Sequence, residues 1–168
     1  MGQRLGVGII GAGGIARTHA QAYSTIPSTA LIAVADIVDE KARDLAQKFG
    51  VKAWYADYKE MLRQRGLQIV SICTPPWLHK QMVLEAIEAG KHVVCEKPMA
   101  LSLKEADEMV EAAKRAGLKL AVDFQNRYLP QHQKAKELLD GGLIGRLFQV
   151  RCRVGYPILD ALPLTAPM

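Results

Sequence analysis

This sequence lacks most of what would commit a chain to a membrane, a disulfide scaffold or a nucleic acid. No apolar run approaches the roughly 20 residues that cross a bilayer. The opening MGQRLGVGIIGAGG has no long apolar core of the kind a secretion signal carries. Cysteine is scarce, odd in number and widely spaced: Cys73, Cys95 and Cys152. That pattern fits reduced thiols in a cytoplasmic setting better than a disulfide framework or a metal site. Cys73 and Cys95 end apolar runs and are expected to be buried small hydrophobes. Aromatic residues are only 6% of the chain, and its net charge of +5 is spread along helices opposite Glu and Asp, as in SLKEADEMVEAAKRAG. Without a basic block interleaved with aromatics, no nucleic-acid partner is expected, although a small phosphate-bearing ligand would suit the charge balance.

What is present is alternation. RLGVGII (4–10), ALIAVAD (30–36), VKAWY (51–55), LQIVSICT (67–74), KHVVCE (91–96) and LKLAVDF (118–124) read as six strands. Helical patterns separate them. One runs from about Gly14 to Ser24. A second has Asp39 as its cap, the apolar stripe Ala42, Leu45, Ala46 and Phe49, and Gly50 as its stop. Asp57 and Glu60 open a third, and Ser102 with Glu105 makes a full S-x-x-E capping box. Repeated strand–helix alternation implies an α/β fold, a doubly wound parallel sheet with helices on both faces. The expected division is a domain over residues 1–126, followed over 127–168 by a connecting helix, one more strand (RLFQVRCRVGY) and a proline-rich tail.

The first crossover carries the chemistry. VGIIGAGGIARTHA places Gly11, Gly13 and Ala16 in the order G-x-G-x-x-G/A, straight after one strand and opening a helix. In that pattern the first glycine makes the turn, the second lets backbone amides approach a pyrophosphate, and the third small residue lets helix and strand pack. Gly14 and Ile15 belong to the same turn. Asp36 closes the second strand 20 residues after Ala16, where a carboxylate takes the ribose hydroxyls of a dinucleotide. The same charge repels a 2′-phosphate, and Ile37, not a cation, follows it, so NAD is expected rather than NADP. Methyltransferases that bind S-adenosylmethionine favour a glycine where Ile15 stands, and FAD-binding chains usually run far longer than 168 residues.

VSICTPPWLH (70–79) and AGKHVVCEKPMALSLKEADEM (89–109), together with the glycine turn, closely resemble the Gfo/Idh/MocA oxidoreductases. The likeness runs from Leu5 to about Val154. It implies an N-terminal Rossmann domain for NAD or NADP and a substrate domain built on an open sheet. The family reaction is hydride transfer between the nicotinamide and a sugar or cyclitol hydroxyl. It also implies that Thr74, Pro75 and His79 flank the cofactor and that Glu96 and Lys97 stand near the nicotinamide ribose. Lys97 is then the candidate catalytic residue, positioning and polarising the reacting oxygen. Asn126 and Arg127 follow the sixth strand, and Arg127 is either a ligand contact or a plain surface arginine.

Two departures qualify this. Members usually exceed 300 residues, and their remaining catalytic Asp and His lie in a substrate domain that this chain only begins. A lone strand would expose an edge and an apolar face, so a homo-oligomer is expected, as a dimer through residues 147–156. Two readings stay open at this point: the cofactor-binding half of a sugar or cyclitol dehydrogenase, or a dinucleotide-binding module without catalysis, regulatory or completed by a partner chain.

Overall fold

The computed structural model describes residues 4–153 of the chain. The chain divides after Phe124 into two units, the first holding the whole sheet. Six strands form it: β1 (Leu5–Ile10), β2 (Thr29–Ala35), β3 (Ala53–Tyr55), β4 (Leu67–Ile72), β5 (His92–Cys95) and β6 (Leu120–Val122). They are all parallel and lie in the order β3-β2-β1-β4-β5-β6. Helices α1 (Gly14–Thr25), α2 (Asp39–Lys48), α3 (Tyr58–Leu62), α4 (Pro76–Glu88) and α5 (Leu103–Ala116) supply the crossovers. The doubly wound α/β sheet expected from the alternation is therefore the fold.

Parallel strands covered on both faces have no solvent side, and this shows in β1, where every residue from Gly6 to Ile10 is buried. Successive side chains point to opposite faces, and they build two cores. Ile9 and Val34 pack with Ala16, Ala20, Ala42, Leu45 and Ala46 of α1 and α2. Their neighbours Ile10, Ala33 and Ala35 pack on the other face with Met61, Val70, Ile72, Met82, Val83 and Met109. Each large side chain buried here contributes about 1.5–3 kcal/mol of transfer free energy. Cys73 and Cys95 are buried, as expected, and Cys152 is exposed.

The order of the strands locates the site. Sequence runs outward from β1 in both directions, so the crossovers after β1 and β4 leave on opposite faces. Ligands of open α/β sheets bind at that switch point, off the carboxyl ends of the strands.

Several local expectations are corrected. Asp39 does not cap α2: it is the first helical residue, Val38 holds the cap position, and the Val38 amide donates to Asp36 Oδ1 at 2.9 Å. Asp57 does cap α3, but through the Lys59 amide at 2.8 Å, with no return bond from Glu60. At α5 Ser102 Oγ accepts from the Glu105 amide at 3.2 Å, while Glu105 Oε2 accepts from Leu101, one residue further out than a capping box requires.

The second unit contains a 3-10 turn (Gln125–Tyr128), which includes Arg127, and α6 (Pro130–Asp140). The strand expected at RLFQVRCRVGY is not formed over 146–153. A strand exists only as part of a ladder that pairs its amides and carbonyls, and no strand partners this segment among the described residues. The argument for a dimer through an exposed strand edge at 147–153 falls with it. Residues 154–156 and the proline-rich tail lie outside the described residues.

Candidate functional site

A crevice of about 550 Å³ opens at the switch point. Its walls come from the carboxyl ends of three strands: Ile10 and Gly11 after β1, Ala35, Asp36 and Ile37 after β2, Cys73, Thr74 and Pro75 after β4. Gly13, Gly14 and Ile15 also line it, and Tyr58, Leu78 and Met82 make an apolar recess. Its volume falls within the range of small-molecule sites, about 300–1,000 Å³.

The glycines divide into two kinds. Gly11 has φ +90°, and a Cβ there would meet the Cys73 carbonyl oxygen at 2.7 Å, so the fold itself requires it. Gly13 and Gly14 have no such need. Gly13 sits at φ −76°, ψ −169°, a conformation open to any residue, and a Cβ at either position would meet nothing within 4 Å. Glycine at a helix start costs stability relative to a better cap or helix former. Two glycines the fold does not need, exposed in the crevice, leave room for something outside the protein. The helix they open has no side-chain cap and no acid in its first turn. Its free amides and dipole suit an anion.

Asp36 is held from two sides. Oδ2 accepts from the Ala12 amide at 2.7 Å and Oδ1 from Val38 at 2.9 Å. A carboxylate has about four acceptor sites, so free lone pairs still face the crevice. These bonds also tie the glycine turn to the end of β2. Ala16 is fully buried against β1 and β2, the close helix–strand contact expected of it. These residues fit a dinucleotide: amides for a diphosphate, a carboxylate for a ribose, an apolar recess for a base.

The residues around the EKP triplet are arranged differently. Lys97 is exposed beyond the end of β5, its bond to Pro98 is cis, and neither it nor Glu96 lines the crevice. His79 is fully buried. Its Nδ1 lies 2.8 Å from the Pro98 carbonyl oxygen and its Nε2 2.9 Å from that of Thr74. A neutral ring has one N–H, so His79 donates to either the Thr74 or the Pro98 carbonyl behind the crevice. Fully buried, with both nitrogens facing backbone carbonyls, it has no polar atom to offer a ligand, which corrects its expected place beside the cofactor.

Four residues were missed by sequence reasoning. Lys41 and the exposed Trp77 line the crevice. His19 and Asp123 join Glu96 in a cluster of two buried side chains and one half-buried, the His19 Nε2 lying 3.0 Å from Glu96 Oε1 and 3.2 Å from Asp123 Oδ2. A signal for His19 was available: it falls on the buried stripe of α1 between Ala16 and Ala20. Asp123 ends β6 much as Asp36 ends β2. The nearby thiols are inert, since burial pushes both Cys73 and Cys95 up to about 12.

Comparison with known proteins bears on this geometry. Residues 5–124 match the family model of the Gfo/Idh/MocA oxidoreductases, described as an NAD-binding Rossmann fold. The myo-inositol 2-dehydrogenase of Thermotoga maritima is 33% identical over 140 residues, covering 83% of this chain and 42% of the relative. The D-glucoside 3-dehydrogenase of Escherichia coli is 37% identical over 150 residues, covering 89% and 43%. A crystal structure of scyllo-inositol dehydrogenase from Lactobacillus casei with NAD(H) and scyllo-inositol superposes with a TM-score of 0.80 at 28% identity. It covers 85% of this chain and 43% of that one. The chain thus spans well under half the length of the relatives it matches.

Proposed function

This chain belongs to the Gfo/Idh/MocA oxidoreductases, and we propose that it is the cofactor-binding half of an NAD-dependent dehydrogenase acting on a sugar or cyclitol hydroxyl. The observation that carries the reading is the pair of glycines, Gly13 and Gly14, that the fold does not require, set at an uncapped helix start in the same crevice as Asp36.

When bound, NAD supplies the chemistry by taking or returning a hydride at its nicotinamide ring. The chain's residues bind and orient. The amides that open α1 face the diphosphate. Asp36 accepts from the adenosine ribose hydroxyls through charge-assisted bonds, each about 1.5–3 kcal/mol, and disfavours a 2′-phosphate. Ile37 and the recess of Tyr58, Leu78 and Met82 shelter the base from water, and Thr74 and Pro75 line the same crevice. Lys97, beyond the end of β5, polarises the reacting oxygen or relays its proton, and Glu96 fixes the Lys97 backbone through its amide at 3.1 Å.

A cytoplasmic location is supported by the unpaired thiols. Among the described residues no helix is long and apolar enough to cross a membrane. The test is a steady-state assay of the chain with NAD and a panel of inositols and glucosides, following absorbance of the reduced nicotinamide. The expected result is cofactor binding with little or no turnover by this chain alone, and turnover once a family substrate domain is joined to it. Robust turnover by the 168-residue monomer would contradict the division of labour proposed.

A further inference from the structure

Five polar side chains are buried among the described residues, and three of them, His19, Ser71 and Glu96, meet at one point. His19 stands on the otherwise apolar stripe of α1. Its Nε2 lies 3.0 Å from Glu96 Oε1 and 3.2 Å from Asp123 Oδ2, and its Nδ1 lies 2.8 Å from Ser71 Oγ. One ring nitrogen faces both carboxylates and the other faces the Ser71 hydroxyl, which can either donate or accept. Ser71 is in β4, Glu96 follows β5 and Asp123 follows β6. One ring therefore ties the helix that starts at the glycine turn to three adjacent strands.

Packing alone does not call for this. Ala16 and Ala20 fill the same stripe with methyl groups, and burying polar groups is costly unless each is paired. What the network adds is direction. Glu96 is gripped at both oxygens, Oε1 by His19 and Oε2 by the Lys97 amide. Its carboxylate is thereby fixed, and with it the backbone from which the Lys97 side chain leaves.

We propose that His19 is a positioning residue for Lys97. Through Glu96 it holds the Lys97 backbone so that the ammonium serves the nicotinamide end of the bound cofactor. This rests on Lys97 standing near the nicotinamide ribose, the place that the family resemblance implies for it. His19 itself touches no cofactor, so its effect should be confined to the end of the ligand that Lys97 serves.

ADP-ribose carries the diphosphate and adenosine portions of the cofactor and lacks the nicotinamide, so comparing it with NADH isolates that end. Both dissociation constants are measured by calorimetry on the full chain and on His19→Asn, His19→Gln, Lys97→Met and the double variant His19→Asn/Lys97→Met. A glutamine amide nitrogen reaches the Nε2 position and an asparagine nitrogen the Nδ1 position. His19→Asn should weaken NADH about fivefold, one hydrogen bond's worth, and leave ADP-ribose unchanged. His19→Gln should restore NADH binding, and the double variant should bind no more weakly than Lys97→Met, because coupled residues are not additive. Equal loss of both ligands in His19→Asn would make His19 merely structural and overturn the proposal. Additive effects, or no rescue by Gln, would overturn it too. If Lys97→Met itself weakens NADH no more than ADP-ribose, the reading of Lys97 fails and the proposal falls with it. An effect of Lys97→Met without one of His19→Asn sinks the proposal alone.

Discussion

Gly13→Ser should make the free protein more stable and the cofactor complex weaker. Gly13 holds the cap position of α1 at φ −76°, ψ −169°, where serine has no strain, and a Cβ there meets nothing within 4 Å. Removing a glycine from the unfolded ensemble at a compatible site stabilises by about 0.4–1 kcal/mol. Serine is a better helix cap than glycine by a few tenths of a kcal/mol. Together they predict a gain of roughly 0.5–1.5 kcal/mol, or about 2–5 °C in Tm for a domain of this size. The same side chain stands where a diphosphate must approach the backbone. Losing one charge-assisted amide bond costs about 1.5–3 kcal/mol, which is tenfold or more in Kd. Differential scanning calorimetry and an NADH titration read the two effects. Opposite signs are the signature. Unchanged NADH affinity would refute the assignment of these glycines to a ligand, and lower stability would mean the fold needs Gly13 after all.

Other consequences are equally direct. Asp36→Ala should weaken NADH by about tenfold or more, and NADPH by less, since the repelled phosphate loses its opponent while Lys41 stays in the crevice; parallel fluorescence titrations give the ratio. His79→Ala removes a fully buried ring that faces the Thr74 and Pro98 carbonyls. It should cost about 2–4 kcal/mol in urea unfolding, and a loss below about 1 kcal/mol would deny the ring a structural role. Native protein at pH 8 should react rapidly with a thiol reagent only at Cys152, because burial holds Cys73 and Cys95 up at about 12. Three thiols should react after unfolding, and fast native labelling of all three would show that those cysteines are not buried.

Much of this was legible in the sequence because each feature was local. Continuous apolar runs announced buried parallel strands, Gly50 marked the end of α2, and the turn with Asp36 marked the crevice. What stayed hidden depended on distant partners. His19 looks like any helical histidine until Ser71, Glu96 and Asp123, separated from it by 52 residues or more, close around it. His79 was placed beside a ligand by the family resemblance alone, yet α4 turns its ring inward. The strand read at RLFQVRCRVGY had the right composition, but over its described residues, 146–153, it has no ladder to join, and composition alone does not make a strand.

The central claim is that the crevice at the β1/β4 switch point holds NAD. Titrating the chain with NADH while following nicotinamide fluorescence tests it most directly. A saturable change at one site per chain, displaced by ADP-ribose and weaker with NADPH, is the predicted result. No saturable change up to ~1 mM, where even a Kd worth only about −4 kcal/mol would show, would contradict it.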